Sequence, residues 1–180
     1  KSSDKELGKH FNKLVNNSWN RCLFVNTDRG LRIKTRRGRG EKAIIDGIRF
    51  KNIRMENVLT PITMNMFYFC DPDGKEKYVW DKECLPVDER TPFLGNFIFE
   101  DLICNNCEYC SGFFYGLPEM PIESVTISNA IFNFKENARK GYPAMMDFID
   151  EYSKNGFVFN NIRTVYLNNV KIIKILIQYI

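Results

Sequence analysis

One template recurs along this chain and restricts its fold more than any other feature: two alternating apolar residues, then Asn or Asp, then a second alternating pair. Ile48-x-Phe50-x-Asn52-Ile53-x-Met55-x-Asn57 is the clearest copy, and Phe97-x-Phe99-x-Asp101-Leu102-x-Cys104-x-Asn106 follows it position by position. Val125-x-Ile127-x-Asn129-Ala130-x-Phe132 and Val165-x-Leu167-x-Asn169-Val170-x-Ile172 repeat it twice more. Alternation with period two places one face of a strand in a core. Asn and Asp bond local backbone and tolerate left-handed conformations, so they mark a sharp bend between two short strands. Strand–bend–strand units separated by polar stretches of unequal length describe a solenoid with variable loops. The expected fold is therefore all-β, a parallel β-helix. A β-sandwich is the competing arrangement, but it prefers Asn-Gly or Asp-Gly hairpins. Asp46-Gly47 and Asp73-Gly74 occur, and neither lies between two copies at hairpin spacing.

The first residues follow a different period. Leu7, Phe11, Leu14 and Val15 fall at helical spacing, with Asp4 as N-cap, which predicts an amphipathic helix over 4–16. A helix there would cover an open solenoid end. The expected organisation is a cap at 1–18 and β-helix coils over 19–180. A second short helix is expected over 143–154 (PAMMDFIDEYSK), and the apolar run 171–180 reads as a buried strand.

The 26 basic and 22 acidic residues leave a net charge of only +4, too balanced for a nucleic-acid protein. No segment is apolar and long enough to cross a membrane, so neither nucleic acid nor membrane is expected as a partner. Positive charge is nevertheless concentrated at Arg29, Arg32, Lys34, Arg36, Arg37, Arg39 and Lys42, which suits a local anionic partner. The plain alternative is a solvated strand face with ordinary surface ion pairs. Arg36-Arg37-Gly38-Arg39-Gly40 resembles an arginine–glycine tract, but as a single copy inside a folded pattern. Lys1 to Lys9 is polar apart from Leu7 and has no signal-peptide pattern, and the chain begins without methionine, as a trimmed chain or fragment would.

Six cysteines are present, three of them at Cys104-x-x-Cys107-x-x-Cys110. That spacing suits a metal or iron–sulfur loop, but no fourth ligand is evident. Cys104 shares its template position with Met55 and Phe132, an apolar core slot, so core packing is the preferred reading over a disulfide or a metal. No cofactor and no metal are expected.

The segment Thr27-Asp28-Arg29-Gly30-Leu31-Arg32-Ile33-Lys34-Thr35 resembles the Arg-Ile-Lys signature of polygalacturonases, glycoside hydrolase family 28. Thr60-Pro61-Ile62 continues in that manner, and Pro86-Val87-Asp88-Glu89 with Tyr115-Gly116-Leu117-Pro118-Glu119 resembles bacterial members. The likeness spans about 20–172. It implies a right-handed, single-stranded parallel β-helix acting on pectic polygalacturonate, of which this chain is the C-terminal part. Residues i and i+2 of a strand point the same way, so Arg32 and Lys34 present two cations on one face. Arg grips a carboxylate through paired hydrogen bonds and Lys adds a point charge. By the resemblance these two bind substrate, joined by Tyr68 as the aromatic residue of the cleft, with Phe67 as its rival.

Inverting hydrolysis needs a carboxylic acid and a carboxylate base. The family supplies them from an Asn-x-Asp motif and an Asp-Asp pair, with Gly-His-Gly nearby, all ahead of Arg-Ile-Lys. Here Arg32 leaves no room for the first two. Asn26-Thr27-Asp28 spells the first motif, but stands where the family has its ordinary Thr-Asp-Arg-Gly. Asp28, Asp46 and Glu41 are the carboxylates near Arg32 in sequence, with Asp28 and Asp46 the weak catalytic candidates. His10 follows Gly8-Lys9 rather than lying between glycines, and Arg21 stands before Cys22 where the resemblance places Asn. The expected protein is a polygalacturonase-like fragment that keeps the carboxylate grip and is itself inactive; the alternative is a non-catalytic β-helix that binds acidic polysaccharide or serves structure. Enzymes of this kind are often exported, and an uncovered solenoid end favours self-association.

Overall fold

The structure, a computed structural model, describes residues 13–40, 43–70 and 72–174. Its elements are β1 (Lys13–Val15), β2 (Ser18–Asn20), β3 (Leu23–Val25), β4 (Arg29–Lys34), β5 (Ile44–Asp46), β6 (Ile48–Glu56), β7 (Thr60–Asn65), a 3-10 turn (Pro72–Lys75) and a one-turn helix α1 (Lys77–Trp80). They continue as β8 (Phe93–Leu94), β9 (Asn96–Cys107), β10 (Cys110–Tyr115), β11 (Ile122–Phe134), β12 (Asn155–Asn160) and β13 (Ile162–Ile173). The strands form three parallel sheets ordered β1-β5-β8, β12-β10-β7-β4 and β13-β11-β9-β6-β2, with β3 also on β6. The chain visits the sheets in turn, so the fold is a parallel β-helix.

The four template copies lie in register. Ile48, Phe97, Val125 and Val165 stack, as do Met55, Cys104, Phe132 and Ile172. Their bend residues Asn52, Asp101, Asn129 and Asn169 all take φ between 50° and 55°. The amide of Asn169 donates to Asn129 (3.0 Å), and that of Asn129 to Asp101 (3.2 Å). A second ladder runs from Asn133 through Asn105 to Glu56. Ladder partners stand 28, 40 and 49 residues apart in sequence, so the coils keep one cross-section while the loops between them vary.

The core side of these strands is closed: Ile53, Phe97, Phe99, Leu102, Ala130 and Phe132 have no exposed surface. Cys104, Cys107 and Cys110 are buried in the same core. Burial pushes the thiols of Cys107 and Cys110 up to about 12, and that of Cys104 well above its ordinary value.

Three expectations about local structure change. Residues 13–15, expected as the last turn of the N-terminal helix, form β1: Lys13, Leu14 and Val15 pair in parallel with Ile44, Ile45 and Asp46, and Leu14 packs on the core. The rest of that expected helix, with His10, lies outside the described residues, as does Glu41. Residues 143–154 form no helix. Pro143 and Met145 instead give their carbonyls to Thr63 and Asn65, and an antiparallel bridge joins Gly141 to Tyr152. The expected buried C-terminal strand is exposed where it is described: Ile172 and Ile173 lie on the outermost strand β13, 37% and 45% exposed. Among the described residues no helix is long and apolar enough to cross a membrane. At the other end of the stack an opening of about 390 Å³ is lined by Trp19, Phe24, Leu31, Ile33 and Phe50, among others.

Arg21 occupies the bend between β2 and β3 with φ 60°, and its N–H donates to Lys51 O, beside Asn52. The left-handed conformation costs an ordinary side chain roughly 1–2 kcal/mol, and Asn less. Arg21→Asn is therefore expected to stabilise the chain by about 0.5–1 kcal/mol, read as a higher urea midpoint at unchanged slope.

Candidate functional site

Alternation in β4 turns Leu31 and Ile33 into the core and leaves Arg32 and Lys34 exposed on the outer face. Gly30 starts this arrangement: a Cβ there would lie 2.5 Å from Pro61 O and 2.6 Å from Met55 Sδ, so only glycine lets β4 approach the core this closely. Arg32 is in register with Thr63, and Lys34 with Asn65.

The chain leaves β7 and doubles back toward β4. Asn65 organises the reversal: its Oδ1 accepts from Phe67 N (2.7 Å) while its Nδ2 donates to Met145 O (3.0 Å). Tyr68 N then donates to Thr35 O, which brings the phenol over the two cations. Lys34 Nζ donates to Tyr68 Oη at 2.9 Å and lies 4.1 Å from the ring centroid, at its phenolic edge. The Arg32 guanidinium carbon is 5.6 Å from the same centroid. Arg32, Lys34 and Tyr68 are thus brought together. Phe67, the rival aromatic, is wholly buried.

Around them lies a shallow depression, floored by Thr63 and Asn65 and walled by Ala144 and Met145 from the loop 135–154. Arg29 reaches the same wall, donating through Nη2 to Tyr142 O, and burial lowers its pKa. Among the described residues neither Arg32 nor Lys34 has a carboxylate partner, and β4 ends its sheet. A lysine ammonium has three N–H groups and a guanidinium five, so most of this donor capacity points outward.

The carboxylates named from sequence stand elsewhere. Asp28 precedes β4 and is exposed, four residues and about 13 Å of extended strand from Arg32. Asp46 ends β5 in a different sheet. The N–H groups of Asn96 and Gly47 and the Asn96 side chain donate to its Oδ1 and hold its carboxyl below the ordinary range, a joint between coils.

Only part of the basic cluster forms a solvated face. Arg36 and Arg37 are 1% exposed. Arg36 forks onto Asp73 at 2.8 Å and donates to Cys70 O. Arg37 uses Nε and Nη2 on the Glu119 carboxylate and gives its remaining N–H groups to the carbonyls of Tyr78, Asp81 and Glu83. These arginines shape the loop that follows Tyr68 rather than meeting a ligand. Thr63 and Asn65, which the sequence reading passes over, carry a legible signal: i and i+2 polar residues on the strand after Pro61.

The family model described as Glycosyl hydrolases family 28 matches residues 6–78. No curated protein and no solved structure matches the chain. The matched stretch holds β1 to β7 together with Arg32, Lys34 and Tyr68, and over those residues the chain is similar to glycosyl hydrolases family 28.

Proposed function

We propose that this domain grips pectic galacturonan, holding one uronate carboxylate between Arg32 and Lys34 with Tyr68 alongside. One observation carries the reading: two cations two residues apart on one strand face converge on a single phenol ring, at 5.6 and 4.1 Å, with no carboxylate among the described residues paired to either. A guanidinium binds a carboxylate through two parallel N–H groups, and the ammonium fixes its second side. The Lys34–Tyr68 bond holds the ammonium still before substrate arrives, which lowers the ordering cost of binding.

Hydrolysis by the inverting route needs two carboxyl groups about 6.5–9.5 Å apart across the scissile bond. Asp46 is committed to a joint between coils and Asp28 sits at the far end of β4, so the reading is a grip without hydrolysis by this chain alone. A non-catalytic acidic-polysaccharide module would use the same three residues.

The test is titration with oligogalacturonides at low and high salt, beside an Arg32→Ala/Lys34→Ala double variant, with reducing ends assayed in the same tubes. Binding is expected to weaken with salt and to fall at least tenfold in the variant, the loss of two charge-assisted contacts. Equal affinity in the variant would refute the grip. New reducing ends would refute the absence of hydrolysis and make Asp28 the first residue to substitute.

A further inference from the structure

Lys82 is not an ordinary surface lysine. Its Nζ lies 3.9 Å from the ring centroid of the buried Phe67 and 5.8 Å from that of Tyr115, and donates to Trp80 O at 3.0 Å. It is half-buried, and among the described residues no carboxylate reaches ion-pair distance of it. A half-buried ammonium over aromatic rings, with spare N–H groups and no counter-ion, is a poor structural choice and a good anion site.

Its placement is built rather than incidental. Arg37 clamps the carbonyls of Tyr78, Asp81 and Glu83, the backbone on either side of Lys82. Tyr115, over which Lys82 leans, is in register with Asn65, and Asn65 with Lys34. Lys82 thus lies over the stretch between Phe67, just after β7, and Tyr115 on β10, one to two places along the sheet from β4, about 5–10 Å at ordinary strand spacing. The line from Lys34 to Lys82 runs along the solenoid axis, over the same outer face.

We infer that Lys82 is a second carboxylate-binding subsite, which takes another uronate of the same acidic oligosaccharide held by Arg32 and Lys34. The inference rests on the galacturonan reading above. Two fixed cations along one axis select for chain length: a monomer meets one of them, an oligomer both. The groups that act on the Lys82 charge are Asp147 from the facing loop and Asp81, which favour it, and Arg37, which opposes it. Desolvation outweighs them and lowers its pKa to about 8. The ammonium is therefore charged below about pH 8 and is lost as pH rises through that value, and a bound carboxylate would hold it on.

The experiment compares wild type, Lys82→Gln and Lys82→Arg for binding of monogalacturonate and hexagalacturonate between pH 6 and 9.5, with Arg32→Ala/Lys34→Ala as reference. Lys82→Gln is expected to weaken hexagalacturonate about tenfold at pH 6, one charge-assisted contact, and to leave monogalacturonate unchanged. Wild type should lose that margin between pH 7 and 9, and Lys82→Arg should keep it. Hexagalacturonate binding in Lys82→Gln equal to wild type, while the double variant has lost it, would overturn the subsite and leave the grip standing. A loss above pH 8 that persists in Lys82→Arg would also overturn it. If wild type binds neither sugar, both readings fall together.

Discussion

Arg37→Ala is expected to destabilise the chain by about 3–5 kcal/mol, the cost of leaving a buried charge without its partner. Arg37 and Glu119 are 1% and 3% exposed, with Nε to Oε1 at 2.6 Å and Nη2 to Oε2 at 2.9 Å. Removing the guanidinium would strand the Glu119 carboxylate and three backbone carbonyls, each a separate desolvation penalty. Arg36→Ala should cost less, because its partner Asp73 is 63% exposed and returns to water. Arg37→Lys keeps the charge but cannot serve five acceptors, so it should fall between wild type and Arg37→Ala. Urea denaturation reads all three through the midpoint. A loss below about 1 kcal/mol for Arg37→Ala would mean that water reaches Glu119 and that the clamp does not organise the loop.

Arg37 also marks where sequence reading loses its grip. Arg32 and Lys34 are legible because period two puts them on one face of a strand whose other face is Leu31 and Ile33. Two residues later the strand has ended, alternation says nothing about inside or outside, and Glu119 stands 82 residues away. A buried Arg and a solvated Arg are then the same letter. The β-helix itself is legible for the opposite reason: its left-handed bends recur at Asn52, Asp101, Asn129 and Asn169, residue types suited to that backbone. Where the type is unsuited, as at Arg21, the bend persists because pairing with β6 over-determines it. The expected helix at 143–154 fails by tertiary override, since its Pro143 and Met145 carbonyls bond to β7. Lys82 had no local signal at all: its rings come from Phe67 and Tyr115, on two different coils.

The second large effect concerns how coils hold one another. Phe99→Ala is expected to cost about 3–5 kcal/mol, as for other wholly buried aromatics. Phe99 has no exposed surface, stacks on Phe50 at 5.4 Å and meets Phe114 edge-on at 6.2 Å. Phe50 in turn stacks on Trp19 at 5.1 Å, and Phe114 on Phe159 at 5.0 Å. Phe99 therefore links the coil before it to the strand that completes its own. In a solenoid each coil contacts only its neighbours, so stability is close to a sum of coil and interface terms. A cavity in the middle coil weakens two interfaces, whereas one near an end weakens one. Phe159→Ala, half-buried on the outermost strand of its sheet, should cost about 1–2 kcal/mol. Urea unfolding of both variants decides the matter. A large loss at Phe99 with a smaller slope would mean the coils on either side have begun to unfold separately, the behaviour of a one-dimensional array. Equal losses at Phe99 and Phe159 would show instead that the stack melts as one unit, however far from its centre the damage is done.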